Sequence, residues 1–148
     1  MIALEDLKGM TEEQVKRHIA NKYTGKQYET TTQNQIDQIE KYLQDYNILF
    51  AYKSVGSYRC DSSSYFLLEN KYTKELVENF GGHCSCYGFE DQWEPEPVTL
   101  EQLNDRITKA DLFYTGGYDD NKTINQEIGK KFILDLYKES TKYDARYQ

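Results

Sequence analysis

Long apolar runs and an even set of cysteines are both missing from this 148-residue chain, and each absence narrows its class. No window approaches the roughly 20 apolar residues of a membrane-spanning helix. MIALEDLKGMTEEQ has no basic segment followed by an apolar one, so no export signal is expected. Three cysteines cannot all pair within one chain, which points to reduced thiols in a cytoplasm. Two prolines and no low-complexity tract argue against a disordered linker. A basic excess is absent as well. The net charge is −7, the reverse of what a direct nucleic-acid binder carries. No Gly-x-Ser-x-Gly elbow, P-loop or dinucleotide fingerprint occurs, so neither a catalytic constellation nor a cofactor is indicated.

What is present suits one domain over residues 1–148. Hydrophobic residues make up 38% of the chain, a lean share. Fourteen tyrosines compensate, because each ring buries apolar area while its hydroxyl stays hydrated.

Four Thr-x-x-Gln patterns, at Thr11/Gln14, Thr32/Gln35, Thr99/Gln102 and Thr123/Gln126, read as capping boxes. An apolar rhythm of helical period follows each one. The stripes are Val15, Ile19 and Tyr23; then Ile36, Ile39, Tyr42, Leu43 and Tyr46; then Leu100, Leu103 and Ile107. The last is Ile124, Ile128, Phe132, Ile133 and Leu136. Between the second and third helices the rhythm shortens. NILFAYKSV, SSYFLLEN, KELVENF and HCSCY are rich in aromatic and branched residues, with a hairpin connection expected over residues 69–75. Helices, then strands, then helices predict an α+β fold: an antiparallel sheet of three or four strands flanked by about four helices. The tail from residue 141 is expected to be loosely held.

The stretch GGHCSCYGFEDQWEPEPVTL, residues 81–100, concentrates the unusual residue types. Cys60, His83, Cys84 and Cys86 are the ligand types of a tetrahedral zinc site. Their spacing is poor for one, since a single residue separates Cys84 from Cys86, and a strand would turn His83 to the opposite face. Free cysteines more often act as small apolar core residues. A catalytic thiol is the other alternative, but the carboxylates that follow would disfavour a thiolate. GGYDDNKTINQEIG hints at calcium yet lacks the loop glycine and the final glutamate, and reads better as a turn opening a helix. His18 is expected on a half-exposed helix face.

Charge distribution is the stronger feature. From Glu75 to Asp105 the chain carries eight carboxylates and no Lys or Arg, while the remainder is nearly balanced. Holding like charges together costs Coulomb energy that a merely soluble surface would avoid. Tyr87, Phe89 and Trp93 lie among them, and Pro95 and Pro97 stiffen the backbone. The expected partner-binding surface is therefore Glu90, Asp91, Glu94, Glu96, Glu101 and Asp105 with Tyr87, Phe89 and Trp93, facing a basic host protein. In a cytoplasm such a partner is most often one that binds nucleic acid, with carboxylates competing for its phosphate channel. Acids near a helix start also favour its dipole, which accounts for Glu96 and Glu101 but not for Glu90, Asp91 and Glu94. The tyrosine-rich surface leaves a homodimer open.

The run Gly82-His83-Cys84-Ser85-Cys86-Tyr87-Gly88, followed by Trp93, Pro95 and Glu96, resembles a segment of short tailed-bacteriophage proteins. The resemblance covers about twenty residues and carries over no functional residue. It implies a phage accessory or counter-defence protein, of the anti-CRISPR kind, acting in the host cytoplasm.

Overall fold

The computed structural model describes residues 1–26, 29–54, 62–83, 88–115 and 120–145. In chain order the elements are β1 (Ile2–Glu5), α1 (Glu12–Lys22), α2 (Gln33–Leu43), β2 (Tyr46–Lys53) and β3 (Ser62–Asn70). There follow β4 (Leu76–His83), β5 (Glu96–Val98), α3 (Leu100–Lys109) and α4 (Lys122–Ala145). Among the described residues the fold is α+β with four helices, as expected. No helix among the described residues is long and apolar enough to cross a membrane.

The sheet departs from the expectation. Among the described residues it has five strands in the order β1-β2-β3-β4-β5, and β1 runs parallel to β2 while the other pairs are antiparallel. Four residues of β1 give too little periodicity to read, and its parallel pairing needs the crossover that α1 and α2 provide. The segment expected only to be stiffened by Pro95 and Pro97 includes the short strand β5. β5 sits at the sheet edge and pairs only with Leu76–Glu78, where Pro97 removes no needed donor. KELVENF and the start of HCSCY form one strand, because β4 runs through Gly81 and Gly82 to His83. A Cβ on Gly81 would lie 2.5 Å from Ser64 Oγ and 3.1 Å from the Phe89 and Tyr23 rings, so this position needs glycine for close approach. The connection over 69–75 is a hairpin turn: Asn70 Oδ1 accepts from the Tyr72 and Thr73 amides, and Lys74 takes φ +64°.

Three of the four capping boxes form. Gln14, Gln35 and Gln102 donate backbone N–H groups to Thr11, Thr32 and Thr99 at 3.2, 3.3 and 3.1 Å, and each Gln side chain accepts in return. The fourth does not. α4 starts at Lys122, so Thr123 lies inside the helix, and Gln126 is buried. Its Oε1 accepts from Leu112 N at 3.0 Å and its Nε2 donates to the Phe113 carbonyl. The stripe is correspondingly rotated: Ile124 is exposed, whereas Asn125, Gln126 and Gly129 turn inward. Asn121 and Asn125 donate to Glu5 Oε1, so the segment that hinted at calcium ties α4 to β1.

Side chains alternate across the sheet and fill two cores. Ile48, Ala51, Phe66, Leu68 and Val77 meet Val15 and Ile19 of α1 and Leu43 of α2. Phe50, Tyr52, Tyr65, Leu67 and Leu76 meet Leu103 and Ile107 of α3 and Ile133 of α4. A bulge between Ile48 and Phe50 resets the alternation, so that Leu49 and Phe50 both serve the second core.

Candidate functional site

The loop that carries most of the unusual residues is stitched to β4. Gln92 acts as a substitute strand: its Oε1 accepts from Gly82 N at 2.7 Å, and its Nε2 donates to the Gly82 and Gly88 carbonyls at 2.7 and 2.6 Å. Asn79 Oδ1 accepts from Glu94 N at 2.8 Å. Trp93 packs edge-on against Tyr23, Tyr42 and Phe66 at centroid distances of 6.5, 6.2 and 6.2 Å. Asp91 takes φ +55° at the turn between these ties.

This stitching brings Asp91, Glu94 and Glu96 to one cleft of about 280 Å³, floored by Asn79, Phe80 and Gln92. All three carboxylates are exposed, and among the described residues none has an ion-pair partner. Gln92 occupies both polar groups of Gly82 from outside the sheet. Antiparallel alternation therefore directs the Phe80 backbone N–H and C=O to the same edge, between Gln92 and β5.

Glu78 lines the same cleft, and the rest of the acidic block is dispersed. Glu78 is buried and held by Arg106, so its charge is already neutralised. Burial and the adjacent Glu78 carboxylate push the Tyr65 hydroxyl well above its ordinary range, and the Glu78 bonds hold the Arg106 guanidinium up. Glu90 faces a different cleft, beside Lys22 and Lys53. Glu101 and Asp105 are exposed one turn apart on α3. Phe89, expected on the partner-facing surface, is a core residue instead: it is buried and stacks on Tyr23 at 5.0 Å. Trp93 likewise anchors the loop inward rather than projecting toward a partner. Tyr87 lies outside the described residues.

The second cleft, of about 330 Å³, had no signal in the sequence. His18 of α1 meets Lys53 at the end of β2, 35 residues away, with Nε2 3.1 Å from the Lys53 amine. Burial first, then the positive charges of Lys53 and Lys22, lower the His18 pKa to about 4, so its ring is neutral and accepts a hydrogen bond from the ammonium. Burial also lowers the Lys53 pKa; Asp6 opposes this and Lys22 adds to it. His83 lines the same cleft, with its ring 5.5 Å from Phe89. Cys60, Cys84 and Cys86 fall outside the described residues, so the zinc and thiol alternatives rest on residues whose placement is not described. Among the described residues no group of three or more His, Cys, Asp or Glu side chains is arranged to hold a metal ion.

No family model, curated protein or solved structure matches the chain.

Proposed function

We propose that this chain is a small acidic binding protein of the phage counter-defence kind. It inhibits a host nucleic-acid-handling complex, in the manner of an anti-CRISPR, by presenting carboxylates to a basic channel. The observation that supports this reading is the convergence of Asp91, Glu94 and Glu96 on one cleft without an ion-pair partner among the described residues. Fixed charge of one sign raises the rate of encounter with a basic surface and competes with phosphates for it. The ties from Gln92, Asn79 and Trp93 hold the loop before binding, so less ordering entropy opposes association. Glu101 and Asp105 are exposed on α3 outside that cleft, while Phe89 and Glu78 are buried.

The test is a titration of the protein against guide-loaded effector complexes of the source host, reading target-DNA binding. Inhibition is expected, weakening steeply as salt rises. Glu94→Lys with Glu96→Lys should abolish it while the fold is retained by circular dichroism. Inhibition of equal strength and salt dependence in that double variant, or no inhibition of any effector by the native chain, overturns the reading.

A further inference from the structure

Lys53 closes β2 with its amine inside the second cleft rather than in open water. Its Nζ lies 3.1 Å from His18 Nε2 and 4.9 Å from the centroid of the Phe89 ring. A neutral imidazole and an aromatic face touch the amine, and Asp6 lies in the same cleft. Lys22, a second cation, lines the same cleft. A lysine kept partly from water beside another positive group is the arrangement that frees an amine to act as a nucleophile. The cleft has a volume of about 330 Å³ and is lined by Ser62, whose hydroxyl is a polar partner for a bound oxygen. Among the described lining residues Asp6 and Glu90 balance Lys22 and Lys53, so an uncharged ligand suits the cleft best.

We propose that Lys53 is a reactive amine and that this cleft captures a small neutral aldehyde or ketone through it. The ammonium first gives one proton to solvent. The free amine then adds to the carbonyl carbon, forming a C–N bond, and the carbonyl oxygen becomes a hydroxyl. That hydroxyl takes its hydrogen from the nitrogen; it then leaves with the nitrogen's second hydrogen as water, the C–O bond breaks, and an imine to Nζ remains. No oxidant or reductant takes part, and hydrolysis reverses the sequence.

The groups that face Lys53 set its response to pH. They are His18 and Lys22 from α1, Asp6 from the turn after β1, His83 from β4, and Glu90 beside Phe89. Asp6 favours the ammonium; burial and Lys22 favour the free amine.

The full-length protein, treated with propionaldehyde and cyanoborohydride near neutral pH, provides the test, with each lysine's rate read by peptide mass spectrometry. Lys53 should be alkylated several-fold faster than Lys131, whose side chain is 81% exposed. Lys22→Met, at an exposed position, should slow Lys53 toward the Lys131 rate, because it removes the like charge. Lys53→Arg should remove this one modification and leave the other sites unchanged. A Lys53 rate equal to or below that of Lys131 in the native chain overturns the proposal.

Discussion

Arg106 grips Glu78 through two parallel hydrogen bonds, Nη1 to Oε2 at 2.8 Å and Nη2 to Oε1 at 2.7 Å. The Tyr65 hydroxyl donates to the same Oε2 at 2.8 Å. The pair ties α3 to β4 and removes one carboxylate from the acidic block. Arg106→Met leaves the Glu78 charge buried and unpaired. Breaking a fully buried pair costs about 3–5 kcal/mol. Arg106 is partly exposed, so a loss of about 2–3 kcal/mol in urea denaturation is expected. Adding Glu78→Gln to Arg106→Met should recover part of that loss.

His18 makes stability depend on pH. Its pKa falls from 6.5 to about 4 on folding, so the unfolded chain binds a proton more readily than the folded one. Its contribution is fully present above pH 6.5 and is lost progressively as the pH falls toward 4. His18→Gln keeps an acceptor for Lys53 without the titration. Denaturation midpoints across this window should fall less steeply in that variant than in the native chain, and an NMR titration should show the His18 ring neutral at pH 5.

Trp93 has a buried indole N–H with no hydrogen-bond partner among the described residues. An unpaired buried donor costs about 1–3 kcal/mol. Trp93→Phe removes that cost along with some packing area, so its net destabilisation should stay below about 1.5 kcal/mol. Trp93→Ala should cost about 3–5 kcal/mol, since it vacates the contact with Tyr23, Tyr42 and Phe66. Chemical denaturation of both variants checks the contrast, and a similar loss in the two would contradict it.

Gln126 satisfies the Leu112 N–H and the Phe113 carbonyl from inside α4. Gln126→Leu strands both buried backbone groups and should cost about 1–3 kcal/mol. Hydrogen exchange at the Leu112 amide should accelerate in that variant beyond what the global loss accounts for.

Helix positions were legible wherever a local signal sufficed. Thr11, Thr32 and Thr99 each bind groups three residues away, so sequence spacing and structure coincide. Thr123 misled because Gln126 found better partners in the 112–113 segment, a contact that spacing cannot encode. β1 was missed since its partner Phe50 lies 48 residues from Ile2. The acidic block was legible as composition but not as geometry. Arg106 lies just beyond Asp105 in sequence, yet its helix turns it back on Glu78, while Asp91, Glu94 and Glu96 converge through the Gln92 and Asn79 ties. Phe89 and Trp93 carried the right residue types for an interface, but the same aromatic area is what a lean core recruits. The His18–Lys53 contact left no trace in the sequence, because it joins elements that are distant along the chain.

The outermost strands have four and three residues, and Pro97 leaves a gap in the amide row of the shorter one. A second copy finds no long ladder to extend at either margin, and Gln92 already shields Gly82 where β4 outreaches its neighbour. Concentrated solutions should therefore resist fibrillar stacking. A stoichiometric blocker of the kind proposed, which must match its target molecule for molecule, would depend on that dispersal more than a catalyst does.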